Sequence, residues 1–262
     1  MDPLNLAIGN VRKAHLKDAA IKDGRARLEA LFGTQGFNTV IVSNESAYGD
    51  PFKDGVPGFF PLLAPATEGL KQMFAGYKLV PIFFVRDQAT LLPSFYGQRV
   101  RKGASDSFRE FAARAQRLDL SWQPVITAIA EAFPKAQLQI HRVEDFTKEP
   151  EDYAAALFAP FVQGLRLEAA STAAKNKAAK SYALAMMLMV NRLIDRLVFL
   201  RKDNRFALKK KIRRIVFPIF ECIKFGDKLI LSDDHAADLK RIYQKDIKAL
   251  PVKKGPVQEN RP

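Results

Sequence analysis

Between Phe37 and Val143 the chain alternates short apolar runs with stretches of helical period. Phe37 to Val42 is a β-branched run bounded by Gly36 and by Ser43-Asn44-Glu45, which predicts a buried strand. Leu79 to Val85 is the most apolar of these runs and ends at Arg86-Asp87, and Leu138 to Val143 is a third. Ahead of them, Ala26, Leu28, Leu31 and Phe32 read as the end of an amphipathic helix closed by Gly33. Residues 49–65 hold four prolines and three glycines and predict a loop, followed by a short helix from Ala66 to Phe74. Asp87 suits the N-cap of a further helix. Ser107-Phe108-Arg109-Glu110 has the spacing of a capping box, with Phe108, Phe111, Ala112 and Ala115 as the apolar face behind it. Trp122, Val125, Ile126, Ile129, Ala130 and Phe133 form a stripe at i, i+3, i+4, i+7, i+8 and i+11, which Pro134 stops. Strands separated by helices favour parallel pairing through helical crossovers, so the expected class is α/β.

After about residue 150 the strand pattern fades. Leu184 to Leu200, Phe206 to Phe220 and Asp233 to Leu250 read as helices, the last capped by Ser232. The expected division is an α/β core over 1–160, a basic helical region over 161–250 and a flexible tail over 251–262. Charge sharpens it. Arg166 to the C-terminus holds 23 Lys and Arg against 10 Asp and Glu, whereas the preceding residues hold 19 against 18, so most of the net charge of +14 lies in the helical region. That half should attract anions.

Composition removes several classes. With 48% apolar residues and 20 Phe, the chain has material for a core, so only the tail from Val252 reads as disordered. A single cysteine, Cys222, excludes an internal disulfide framework and a cysteine-based zinc site, and its neighbours Ile219, Phe220 and Ile223 suit a buried inert thiol. His15, His141 and His235 have no metal-ligand spacing, so no metal is expected. Neither Gly-x-Ser-x-Gly nor a Walker loop occurs. Asp2, Asn5, Asn10, Arg12 and Lys13 interrupt any secretory apolar run. Tyr182 to Leu200 is the strongest membrane candidate, but Asn191, Arg192, Asp195 and Arg196 make it a buried helix instead. The expected location is cytoplasmic or peripheral to the cytoplasmic membrane face.

Arg201 to Arg214 carries eight basic residues and one acid, interleaved with Phe206, Leu208 and Ile212. Such a segment suits a polyanionic acceptor, a nucleotide, anionic lipid headgroups or nucleic acid, and it equally suits a solvated helix face. No helix-turn-helix, zinc-finger or ribonucleoprotein signature supports specific nucleic-acid binding.

In open parallel sheets, ligands bind beyond the carboxyl ends of the strands. That singles out Ser43 to Glu45, Arg86 with the helix after it, and Arg142 to Asp145. The second is the most informative. Arg86 ends a strand and Ser94 follows eight residues on, so a guanidinium, a hydroxyl and a helix N-terminus can face one crevice and hold a phosphate. The plain alternative is a salt-bridging arginine and a surface serine. Pro93 either bends the intervening helix or starts it; in the second case Ser94 lies in the first turn.

This stretch resembles the 3′-phosphate-binding motif of sulfotransferases, in which an arginine ending a strand is followed eight residues later by a serine. Tyr96, Gly103, Ser107 to Phe111 and Leu118 to Trp122 extend the likeness, and Arg142-Val143-Glu144-Asp145-Phe146 is similar to the family's strand-end Arg-x-Glu-Asp-aromatic segment. The resemblance covers about residues 37–160. It implies a three-layer parallel sheet of P-loop-related fold, binding of 3′-phosphoadenosine-5′-phosphosulfate, and sulfuryl transfer to a hydroxyl or amine of a glycan or small acceptor. It places Arg86 and Ser94 on the 3′-phosphate and makes Glu45 the candidate general base. Glu45 reads equally as a loop carboxylate capping Ser46 or Tyr48, and Arg142 and Glu144 read as structural. The glycine- or threonine-rich 5′-phosphosulfate loop of the family has no counterpart before Phe37, through a misplaced start, loss of the segment or its supply by another chain. Without it, the alternative is a non-catalytic protein of this fold whose basic C-terminal helices bind an anionic surface or polyanion.

Overall fold

A computed structural model describes residues 3–34, 38–161, 181–197, 204–205, 207–212, 214–215 and 233–252. They divide into two compact units. The first holds the described residues up to Val85, those from Leu118 to Phe161 and those from Asp246 onward; the second holds Arg86 to Arg117 and the described residues between Ser181 and Lys245.

The first unit begins with a helical core. Helix α1 (Pro3–Asn10) places Leu4, Ala7 and Ile8, with Val11 after it, against Ala20 and Leu28 of α2 (Lys17–Glu29) and Leu70 and Met73 of α3 (Leu63–Met73). The stripe Leu4, Ala7, Ile8, Val11 has helical spacing, a signal that the polar residues between them obscure. The contact is close. A Cβ on Gly69 would stand 2.7 Å from the Cβ of Val11, so only a glycine lets α3 approach there.

Two strands follow, β1 (Ile82–Val85) and β2 (Gln139–Arg142), paired in parallel with Phe83 opposite Ile140 and Phe84 opposite His141. Both run shorter than their apolar sequence. Pro81 has no amide to give the ladder, although its carbonyl accepts from Gln139 at 2.9 Å, and Val143 already opens the short helix α7 (Val143–Phe146). Alternation puts Phe83 against Tyr48, Phe60 and Trp122, and Phe84 on the other face against His141, Phe146 and Tyr153 of α8 (Pro150–Phe158). Phe60 holds a left-handed backbone, φ 51°, which turns its ring onto Phe59, Phe83 and Trp122.

The described residues thus form a helix-rich chain with one two-stranded parallel sheet. The strand expected over Phe37 to Val42 is not among its elements: residues 38–44 have neither strand nor helix, and Phe37 lies outside the described residues. A strand needs a ladder partner, and this stretch is held by side chains. Asn44 Nδ2 donates to the Asn5 carbonyl at 2.9 Å, Arg12 donates to the Ser46 carbonyl, Val42 packs on the α1–α3 core and Ile41 is exposed.

Helix α6 (Trp122–Ala132) buries Trp122, Val125, Ile126 and Ile129 as its stripe requires. Its N-cap is unusual. The Ser121 hydroxyl donates to Asp119 at 2.6 Å, and the first-turn amides of Trp122 and Gln123 instead donate to the Asp246 carboxylate at 2.8 and 3.1 Å. Asp246 stands near the end of α10 (Asp233–Ala249), so a residue 124 positions away serves as the cap. Replacing Asp246 by alanine is expected to destabilise this unit by about 1–2 kcal/mol, with asparagine losing less because one oxygen still accepts. Urea unfolding followed by circular dichroism measures it, and coincident midpoints for wild type and Asp246→Ala would remove the cap's energetic weight.

In the second unit, α4 (Gln88–Arg101) and α5 (Phe108–Ala115) pack through Phe95, Tyr96, Phe108 and Phe111. The capping box at Ser107 and Glu110 is formed in both directions. Asp106 accepts from Arg99 at 3.2 Å and from Arg114. Burial raises its carboxyl, but the bond from Arg114 and the charge of Arg99 bring it below the ordinary carboxylate range.

Helix α9 (Ser181–Asp195) explains its own polar residues. Asn191, fully buried, donates to the Val100 and Ala104 carbonyls at 2.9 and 2.8 Å and so closes the C-terminal end of α4. Arg192 donates to the Ser105 carbonyl at 3.0 Å. Asp195 accepts from Ser105 and, at 2.8 Å, from Lys209, which also donates to Gly103 O at 2.8 Å and Ser105 Oγ at 3.2 Å. Residues 207–212 and 214–215 are helical, within the expected helix from Phe206 to Phe220, whose remainder lies outside the described residues; residues 204–205, just ahead of that span, are helical too. Ser232 and Cys222 lie outside them too. Helix α10 matches its expected span to within a residue.

Candidate anion-binding site at the start of helix α4

The backbone leaves β1 at Val85, and Asp87 turns it into α4 with extended ψ (129°) and a carboxylate that accepts from the Ala89 amide at 2.9 Å. Helical spacing then puts residues 86, 90 and 94 on one side of this turn. Arg86 lies across it, its Nε donating to Thr90 Oγ1 and its Nη1 to Ser94 Oγ, each at 3.0 Å. Thr90 passes its own hydroxyl proton to the Asp87 carbonyl at 3.0 Å. The Ser94 hydroxyl, having accepted from Arg86, keeps its proton for a ligand oxygen.

Arg86 and Ser94 are therefore brought together, as the spacing predicts. Thr90 joins them, a residue that the pairing of Arg86 with Ser94 alone leaves unnamed although it stands four positions from each. Arg86 and Ser94 are half-buried and Thr90 is exposed, so the cluster opens to solvent. The helix N-terminus contributes less than expected. Asp87 already occupies the Ala89 amide, which leaves one guanidinium and two hydroxyls as the groups for an anion.

Pro93 does not start the helix. It sits inside α4, where it deprives the Ala89 carbonyl of its intrahelical donor, and Ser94 lies in the second turn rather than the first. On the opposite side of α4 the Tyr96 hydroxyl donates to the Asp106 carbonyl at 3.0 Å, and burial, with the Asp106 charge adding to it, pushes its pKa to about 12. Tyr96 therefore serves as a donor rather than an acid.

The remaining sequence candidates fall in the first unit. Glu45 is exposed in the turn at 45–48, and the cap expected of it is supplied by Asn44, whose Oδ1 accepts from the Ser46 amide at 2.9 Å. Arg142 and Glu144 stand 3.8 Å apart, while Phe146 packs edge-on to Phe84 and Tyr153, an arrangement that stabilises the end of β2. His141 is buried, with Nδ1 2.8 Å from the Tyr153 hydroxyl. No protein-family model, no curated protein and no solved structure matches the chain.

Proposed function

We propose that Arg86, Thr90 and Ser94 hold the 3′-phosphate of 3′-phosphoadenosine-5′-phosphosulfate, and that the chain is a sulfotransferase-like protein acting on a hydroxyl or amine of a glycan or small acceptor. One observation carries the reading: a single guanidinium bonded to two hydroxyls at 3.0 Å, one and two turns along a helix that follows a parallel strand. A phosphate monoester can replace these internal bonds with charge-assisted ones, which are the stronger kind. The proposed architecture is the family's three-layer parallel sheet, with β1 and β2 as two of its strands.

In the proposed transfer, the acceptor oxygen bonds to sulfur as the bond from sulfur to the phosphate oxygen breaks. The acceptor's proton goes to a carboxylate, for which the resemblance nominates Glu45. The 3′-phosphate takes no part in that exchange. Its contribution is position: binding energy at Arg86 fixes the nucleotide so that the sulfuryl end is presented in one orientation.

Adenosine 3′,5′-bisphosphate is expected to raise the melting temperature of the chain by roughly 5 °C or more at about a hundred times its Kd, and Arg86→Ala to remove the shift. Thr90→Val and Ser94→Ala should each weaken binding about tenfold, the worth of one hydrogen bond to a charged group. Adenosine 5′-monophosphate, which lacks the 3′-phosphate, should give little shift. Equal shifts for the two nucleotides, or none at millimolar bisphosphate, would overturn the reading.

A further inference from the structure

The cations of the second unit sort into two groups. Arg205 and Lys209, four residues apart, turn inward: Arg205 donates to the Asp195 carbonyl at 3.0 Å and Lys209 to its carboxylate. Lys210, Lys211 and Arg214 are exposed. On α9 the same sorting holds. Ala183, Leu184, Met187, Asn191 and Ile194 are buried, and Arg192 and Arg196 are exposed on the opposite side. Asp195 is the sole acid of α9, and it is spent on Lys209 and Ser105. Among the described residues of α9 and of 207–212 and 214–215, the outward-facing charges are therefore all positive, with Glu110 of α5 beside Arg192.

Large apolar side chains stand among these cations. Met189 is 49% exposed and Leu193 51%, one turn apart on α9, and Ile215 is 60% exposed beside Arg214. A merely solvated cationic face gains nothing from them, and a hydrated polyanion would contact the charges alone. A bilayer surface uses both, because anionic headgroups attract the cations while apolar side chains enter the boundary beneath. No helix among the described residues is long and apolar enough to cross a membrane.

We propose that the second unit docks on anionic phospholipid through the outward faces of α9 and of residues 207–212 and 214–215. This does not rest on the nucleotide site.

The test is co-sedimentation of the full chain with vesicles of phosphatidylcholine, with and without phosphatidylserine. Binding is expected only where phosphatidylserine is present. Joint reversal of Lys210, Lys211 and Arg214 to glutamate should lower partition at least about 100-fold, since each cation near such a surface contributes about fivefold. Leu193→Ser with Ile215→Ser, which leaves the charge unchanged, should lower it about tenfold. Melting curves of both variants establish that they fold, and Arg86→Ala should partition as wild type. Equal binding to neutral vesicles would overturn the proposal. So would an apolar double variant indistinguishable from wild type, which would mark the face as a plain polyanion surface.

Discussion

Asn191→Leu is expected to lower the stability of the second unit by about 3 kcal/mol, the midpoint shift being read by thermal or urea unfolding. Asn191 is fully buried and its amide gives both hydrogens to carbonyls at the end of α4, Val100 O at 2.9 Å and Ala104 O at 2.8 Å. Leucine has the same branched skeleton with bulkier methyl ends, so no cavity opens. The loss comes from two carbonyls that each give up a donor, the Val100 oxygen keeping the Gly103 amide at 3.0 Å and the Ala104 oxygen being part-buried, at about 1–2 kcal/mol each. Part of that is offset, because the Asn191 Oδ1 is itself buried without a hydrogen-bond partner, and leucine removes it. The decisive comparison is Asn191→Asp, which keeps the shape but sets carboxylate oxygens against the same carbonyls. Aspartate should cost more than leucine. Were the order reversed, packing rather than the two hydrogen bonds would explain why a polar residue stands there.

The second large effect concerns Lys209 and Asp195, and the two partners are not equivalent. The Lys209 side chain is 10% exposed, that of Asp195 41%. Removing the carboxylate leaves a buried ammonium with only the Gly103 carbonyl and the Ser105 hydroxyl to face. Removing the ammonium leaves a carboxylate that water can reach. Asp195→Ala is therefore expected to cost about 3 kcal/mol and Lys209→Met about half that, the exposed partner being screened. Acid separates this from packing. Burial raises the Asp195 carboxyl, but the bonds from Lys209 and Ser105 outweigh it and hold the group below its ordinary range. A carboxylate depressed in the folded state contributes stability that is complete above its unfolded pKa, about 4, and is lost as pH falls through the folded value. Wild type should thus keep its stability down to about pH 4 and lose it below, while Lys209→Met should show a shallower acid decline because that contribution is already gone. Parallel pH profiles for the two proteins would show that Lys209 does not hold the carboxyl down.

The features legible in the sequence are those written within a few residues. Ser107 and Glu110 close their capping box, Asp87 caps α4, and Trp122 to Ile129 bury the predicted stripe, because each depends on neighbours three or four positions away. Arg86 and Ser94 were readable for the same reason, and Thr90 should have been. Illegible features depend on distant partners. Nothing local says that Asp246 caps α6, or that the β-branched residues 38–44 lead to Asn44 and Ser46 bonded to Asn5 and Arg12 instead of to a neighbouring strand. Asn191 and Asp195 show the intermediate case. Their polarity was enough to argue against a spanning helix, but the carbonyls and the lysine they serve came only with the fold.

Trp122 gives the molecule a built-in lamp in one unit only. It is the single tryptophan of the chain, 2% exposed, with Phe59 at 5.1 Å and Phe60 and Phe83 at 5.8 Å between ring centres. Light absorbed by indole alone is blind to the second unit, whereas circular dichroism senses the helices of both. If the red shift of emission and the loss of ellipticity coincide on heating, the two units unfold as one cooperative body; if they separate, each has its own transition. The nucleotide can then be traced to the unit it stabilises, since a ligand held by Arg86 would delay the ellipticity change before the emission.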